Sequence, residues 1–428
     1  MKTGIINAPC GTIQGILEND TEVYKGIPFA TAERFAYPTE ITSLSEPGTN
    51  GLFFADSFAP ASIQEGAYVK GDPEAFYNKE FYNGEHITYS EDSLCLNIWA
   101  PAGENKKDLP VLVYVHGGAF DHGYSYEKPF DGFEFAKRGI ITVTVAYRLS
   151  VFGYLALPEL ADLDGHFGNY ALFDIITALK WIKHNISAFG GDPRNVTLSG
   201  QSAGAMSVQS LCVSDLTDGL FAKAYMMSGG GVSPHSHFSS SLEDQILLGK
   251  KYCEFMKVAD GNELKSLPAK DLMLGFLDFS RSITEDVRFC IPTIDGFLLK
   301  KSPFEIANEG RMKNIPYVLG TTSEDILPDL FHPMAKDYAL LAEKFDHAPV
   351  YLYYFSRQLP GDDAGAWHSS DLWYFFGTLK KCWRPFNERD YSLSSRYMDH
   401  VAAFAKNSAP GSDWPAFTEK DKFIYSLN

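Results

Sequence analysis

The pentapeptide Gly200-Gln201-Ser202-Ala203-Gly204 constrains this 428-residue chain more than any other stretch. The residues before it, Asn195-Val196-Thr197-Leu198-Ser199, are rich in strand formers, and those after it, Ala205 to Leu211, favour helix. A serine on a sharp strand-to-helix turn is forced into an uncommon backbone conformation. Only small residues two places to either side leave room for it. The turn lifts the Ser202 hydroxyl clear of the sheet and points the Ala203 N–H, at the positive end of the helix, toward a reacting carbonyl. The bare pattern arises often by chance; a strand before it and a helix after it give it meaning.

Continuous apolar runs of strand length surround this turn in the sequence. Val111 to Val115 and Ile140 to Val145 read as strands buried on both faces. Ala224 to Met227, Tyr317 to Leu319 and Val350 to Phe355 are further strand candidates. Between them, Leu172, Ile175, Ile176, Leu179 and Ile182 fall on one face of a helix. The alternation predicts an α/β fold: a mostly parallel central sheet flanked by helices. Upstream, through about Trp99, the rhythm is that of short antiparallel strands, with Gly11 to Gly15 and Val23 to Phe29 as a pair. The aromatic-rich residues 60 to 92 either cover a pocket or form an irregular surface of their own. Residues 241 to 285 are amphipathic, and are expected to be helices inserted between strands as a possible lid. With no repeat, low-complexity tract or linker, residues 1 to 428 are expected to form a single domain.

A serine hydroxyl becomes a nucleophile when a histidine takes its proton and a buried acid orients that histidine. In elbow-type enzymes the acid and then the histidine follow the serine, each on a loop after a later strand. Glu324 and Asp325 follow the strand candidate at 317 to 319, and His368 follows the one ending at Phe355. After Val115 comes His116-Gly117-Gly118-Ala119-Phe120, whose glycines can present backbone N–H groups to a developing negative charge together with Ala203.

The formal charge of −17 argues against nucleic acid and anionic membranes, and fits either solubility or a taste for cationic ligands. No segment has the apolar length of a membrane span. Met1 to Gly4 run at once into a strand-and-turn pattern with no apolar signal region, so a cytoplasmic protein is expected in preference to a mature form that has lost a leader. Six cysteines, Cys10, Cys95, Cys212, Cys253, Cys290 and Cys382, lack the paired spacing of a zinc site or a disulfide framework. Neither a metal nor an organic cofactor is expected.

Together these pieces resemble the type-B carboxylesterases, the α/β-hydrolase family that also contains the cholinesterases. Gly26-Ile27-Pro28-Phe29-Ala30 with Arg34-Phe35 is similar to the family's N-terminal signature, and Ser90 to Ile98 to its second. His116 to Phe120, Ala146-Tyr147-Arg148-Leu149 with Phe152-Gly153, and Phe189 to Pro193 leading into the elbow extend the match over most of the chain. The resemblance implies the α/β-hydrolase fold with a shortened helical cap region. It makes Ser202 the nucleophile, His368 the base, and Gly117, Gly118 and Ala203 the oxyanion donors. Its acidic pair ends in the catalytic member, which points to Asp325 with Glu324 in reserve. One methylene is lost against the family's usual glutamate, and adjacent residues in extended backbone face opposite ways, so only one of the two can reach His368.

Departures from the family shape the expected pocket. Ser93 stands where secreted members carry a disulfide cysteine, which fits a reducing compartment. Gln201 replaces the common glutamate before the nucleophile, removing a carboxylate. The chain is short between Asp325 and His368, so a shallower, more open pocket is expected, with Trp367, Trp373, Tyr374, Phe375 and Phe376 at its rim or, for the last two, in the core of the next helix. Phe120, Gln201 and Trp367 are the expected substrate contacts. The resemblance implies hydrolysis of carboxylic esters, and the aromatic lining suggests small aryl or alkyl esters. Choline esters are disfavoured, because the loop that carries the choline-stacking tryptophan in cholinesterases has none here and Gln201 has lost a charge. An amide or thioester hydrolase using the same groups, or a non-catalytic cholinesterase-like binding module, are the rival readings.

Overall fold

The computed structural model describes residues 1–44, 51–103, 106–236, 238–284 and 287–428. Among them, twelve strands make one sheet. In chain order these are β1 (Lys2–Ala8), β2 (Gly11–Glu18), β3 (Thr21–Pro28), β4 (Leu52–Phe54), β5 (Cys95–Pro101), β6 (Leu109–Val115), β7 (Ile141–Val145), β8 (Gly191–Gln201), β9 (Lys223–Met227), β10 (Tyr317–Thr322), β11 (Val350–Phe355) and β12 (Tyr425–Leu427). Across the sheet the order is β1-β2-β3-β5-β7-β6-β8-β9-β10-β11-β12, with β4 alongside β2. The neighbours from β1 through β3 and β5 to β7 are antiparallel, and every neighbouring pair from β7 to β12 is parallel. The order reverses at β6, which lies between β7 and β8 and puts Val115 opposite both Val145 and Gly200.

Side-chain alternation sorts the sheet into two cores. Val111, Val113 and Val115 of β6 join a large cluster on one face, while Leu112 and Tyr114 join a second cluster on the other. β9 repeats this with Ala224 and Met226 against Tyr225 and Met227, and β11 with Val350 and Leu352 against Tyr351, Tyr353 and Phe355. A strand with both faces covered must be apolar at consecutive positions, which is why these runs are unbroken in the sequence.

Helices α1 (Tyr170–Asn185) and α2 (Ala203–Cys212) pack on the first face. The stretch after β9 forms α3 (Leu242–Met256), α4 (Gly261–Ser266) and α5 (Ala269–Ser282); residue 285, the end of the expected helical insertion, lies outside the described residues. Farther on come α6 (Pro328–Lys344), α7 (Leu372–Phe376) and α8 (Glu388–Asn407). The second cluster holds Trp373, Tyr374, Phe375 and Phe376, all fully buried. The expected rim position of Trp373 and Tyr374 is therefore corrected: both side chains are buried in the second cluster with residues of the sheet and α8, and of α7 only Leu372 borders the cavity described below. No helix among the described residues is long and apolar enough to cross a membrane.

Candidate active site

Three parallel strands, β8, β10 and β11, bring the candidate residues to one edge. Ser202 follows β8 directly and holds φ 54° and ψ −127°, a backbone conformation that costs energy for a residue with a Cβ. Packing explains why the elbow tolerates it. A Cβ at Gly204 would fall 2.2 Å from the Val115 carbonyl oxygen, and one at Gly200 would meet the Gly204 backbone at 2.6 Å. Neither position has space for a side chain, so α2 can begin hard against the ends of β6 and β8. The Ser202 N–H donates to the Met227 carbonyl at 2.8 Å, tying the turn to β9.

His368 reaches this turn from the loop after β11. Its Nε2 lies 2.9 Å from Ser202 Oγ and its Nδ1 lies 2.5 Å from Asp325 Oδ1. An ionised carboxylate can only accept, so Nδ1 carries the ring proton and Nε2 is left as the acceptor for the serine hydroxyl. The Asp325 carboxylate also accepts from Ser228 Oγ at 2.6 Å, from the Thr322 N–H at 3.2 Å and from the Ile326 N–H at 2.9 Å. Burial pushes this carboxyl up, but the bonds from His368, Ser228 and Thr322 outweigh it and hold its pKa below the ordinary aspartate value.

Glu324 turns the other way. It accepts from Gln358 Nε2 at 3.0 Å and from the Ala366 N–H at 2.8 Å, while its own N–H donates to the Ala366 carbonyl at 3.1 Å. It is thus placed to fasten the histidine loop to the end of β10, and it does not touch the imidazole.

Gly117 and Gly118 border the same cavity as Ser202 and His368. Gly118 has φ 105°, and a Cβ there would lie 1.9 Å from the His122 carbonyl oxygen, so this loop position admits glycine alone. The loop rests on His116, a buried ring stacked on Tyr147 at 4.4 Å whose Nδ1 donates to the Gly117 carbonyl at 2.8 Å. Burial lowers the His116 pKa to about 4, so the ring is neutral. Ala203 is the first residue of α2, with its N–H at the positive end of the helix.

The expected substrate contacts divide. Gln201 borders the cavity, and its Nε2 lies 3.2 Å from His368 Nε2. Phe120 and Trp367 do not border it. With φ 70°, Phe120 turns its ring into the core against Tyr154, 5.4 Å away. Trp367 is bridged to Glu324, so its ring faces away from the imidazole of the next residue and packs edge-on to Phe76 and Tyr77. The aromatic stretch at 60–92 supplies the wall instead, through Tyr77, Phe81 and Tyr82. With Phe130, Leu372, His122 and Glu127 they enclose a cavity of about 220 Å³. None of α3, α4 and α5 contributes a residue to it, so the helices expected as a lid lie outside this wall.

The aromatic wall is pinned from behind. Glu80, on the turn Asn78–Tyr82, is buried and accepts from Arg384 Nη2 at 2.7 Å and from the Trp383 indole at 3.0 Å. Arg384 is itself buried and reaches Asp362 at 2.7 Å. Removing one partner strands a buried charge. Arg384→Met is expected to cost about 3 kcal/mol, read as a fall in denaturation midpoint; an unchanged midpoint would show that the pair does not hold this wall.

Among the described residues no group of three or more His, Cys, Asp or Glu side chains is placed to hold a metal ion.

A parallel sheet carrying a serine elbow, with a carboxylate and a histidine on the loops of later strands, is the architecture of the α/β-hydrolases. The carboxylesterase family model matches residues 2–342 and 330–428, and the chain belongs to that family. It is 29% identical to the para-nitrobenzyl esterase of Bacillus subtilis (strain 168), over 98% of this chain and 93% of that one. It is 30% identical to the fumonisin B1 esterase of Sphingopyxis macrogoltabida over 83% of this chain, a match that spans 61% of that enzyme's length. Among solved structures, a thermophilic PNB esterase superposes with a TM-score of 0.87 at 26% identity, covering 99% of this chain and 95% of that one. A Geobacillus stearothermophilus carboxylesterase gives a TM-score of 0.83 at 26% identity, covering 99% and 96%.

Proposed function

We propose that the protein hydrolyses carboxylic esters through an acyl-enzyme, with Ser202 as nucleophile, His368 as general base and then general acid, and Asp325 as the acid that orients the ring. The observation that carries this reading is the His368 ring spanning Ser202 Oγ at 2.9 Å and Asp325 Oδ1 at 2.5 Å. His368 Nε2 takes the hydroxyl proton as Ser202 attacks the carbonyl carbon. The oxygen of the tetrahedral intermediate is held by the backbone N–H groups of Gly117, Gly118 and Ala203, which act on charge that exists only as the reaction proceeds. The imidazolium returns its proton to the departing alcohol. Water then attacks the acyl carbon with the same base, and the acid is released.

A cavity of about 220 Å³ with an aromatic wall fits small aryl or alkyl esters. A panel of p-nitrophenyl and alkyl esters graded in acyl and alcohol size tests this. Turnover is expected to fall once the acyl or alcohol part outgrows the cavity; a flat profile, or no ester turned over while amides or thioesters are, would remove the assignment.

Gln201 gives a separate prediction. A glutamate there would place a negative charge near the imidazole and favour its protonated form. In Gln201→Glu the acid limb of the kcat/KM profile is therefore expected to move upward by about one pH unit, since the base is free only at higher pH. An unmoved limb would mean that residue 201 does not act on His368.

A further inference from the structure

A second cavity, of about 180 Å³, adjoins the first at the glycine loop after β6. Ala119 borders both, so the side chain they share is no bulkier than a methyl group. Helix α5 lines the second cavity with Phe276 and Ser280, and the stretch after α5 adds Arg288 and Phe289. The Ser280 hydroxyl is shielded from solvent and has no hydrogen-bond partner among the described residues. Arg288 is exposed, and its Nη2 donates to the Ala119 carbonyl at 3.1 Å. A guanidinium carries several N–H donors, and this bond occupies one of them. No carboxylate among the described residues pairs with Arg288, in a chain with 54 acidic and 37 basic residues. Asp121 also borders the second cavity, but its charge is answered by His122, whose Nδ1 lies 2.6 Å from Oδ1. Burial lowers the His122 pKa, yet the bond and charge of Asp121 outweigh it and raise the pKa above the ordinary value. Arg288 is left as the unmatched charge.

The proposed chemistry decides which half of an ester faces this side. His368 returns its proton to the departing alcohol, so the alcohol half lies beside the imidazole. The acyl chain stays on Ser202 and is left the other direction, along the loop from Gly117 to Ala119. We infer that the second cavity receives the far end of acyl chains that terminate in a carboxylate, and that Arg288 binds that carboxylate. The methylenes of such a chain lie against Phe276 and Phe289, while the guanidinium fork meets the two carboxylate oxygens. The Ser280 hydroxyl gains in the carboxylate the acceptor it lacks in the protein. A neutral chain of the same length gains nothing from Arg288 and falls off as it outgrows the first cavity. The substrates so defined are monoesters of dicarboxylic acids. This inference rests on the proposed ester hydrolysis and names the acyl half of its substrate.

The test sets the monoethyl esters of succinic, adipic and suberic acid against the ω-carboxamide esters of the same length, at about pH 7.5, where the free carboxyl is ionised. The wild type is expected to prefer the carboxylate member at one or more lengths by about fivefold or more in kcat/KM. Arg288→Gln is expected to bring that ratio to unity or below. The ratio is taken within each variant, so a general effect of losing the Ala119 bond cancels. Should Arg288→Gln melt early, Asp121→Asn stands in: removal of the competing negative charge is expected to widen the wild-type ratio, and an unchanged or smaller ratio overturns the inference. Equal turnover of both members at every length by the wild type overturns the inference and leaves ester hydrolysis standing. So does a preference that survives in a folded Arg288→Gln, or hydrolysis of p-nitrophenyl acetate with no turnover of either member of any pair. Failure on all of these esters, p-nitrophenyl acetate included, overturns both readings.

Discussion

Ser202→Ala is expected to lower kcat on p-nitrophenyl acetate by a factor on the order of 10⁶ and to abolish labelling by a fluorophosphonate probe that marks the wild type. The residual rate should stay above that in water, because the glycine loop and the cavity would still bind and polarise the ester. The substitution removes one oxygen from a turn whose shape is imposed by the absence of space at Gly200 and Gly204, so the fold should be kept and the melting midpoint nearly unchanged. A binding module would show the opposite pattern: no labelling of the wild type and no loss on substitution. Persistent hydrolysis in folded Ser202→Ala would remove Ser202 from the chemistry altogether.

Asp325→Asn is expected to lower kcat by about 10⁴. The asparagine fits the same space but offers an amide donor or a neutral acceptor, so it no longer enforces the proton on His368 Nδ1 and no longer steadies the imidazolium. Glu324→Gln provides the contrast. The Glu324 carboxylate faces Gln358 and the Ala366 N–H, and the amide can keep one of these bonds, so a loss within about tenfold is expected, through looser placement of the histidine loop. The reverse ranking of the two variants would transfer the acid role to Glu324. A second readout follows from the direction of the Asp325 shift. Its native pKa lies below the unfolded value, so its ionisation stabilises the fold above the unfolded pKa, and that contribution is lost as pH falls through the native one. Asp325→Asn removes this part of the acid limb of stability, measurable as a flatter dependence of midpoint on pH.

What could be read from the sequence was set by backbone sterics and by burial on two faces. The elbow glycines at 200 and 204 and the unbroken apolar strands leave few alternatives for the fold class, whereas the order of the strands came only from the structure. The divergence of Glu324 and Asp325 was also legible, because two successive residues of extended chain cannot face one ring. The failures are local and have the same root. Phe120 and Trp367 adjoin site residues in sequence, but a positive φ at one and an extended backbone at the other turn their rings away. Glu127 carries no motif and follows no periodicity. It enters the cavity only because the loop after β6 folds over the aromatic turn at 78–82, a contact between segments that pattern cannot relate.

Asp325 and His368 are held by strands that lie side by side, β10 and β11, and their loops are further joined through Glu324 and Ala366. Everything between them, α6 and its connections, leaves from one strand and returns to the adjoining one. The intervening segment is therefore a cassette: its two ends stay neighbours whatever its length, so a longer or differently shaped recognition element could be grafted there while the spacing of acid and base stays fixed.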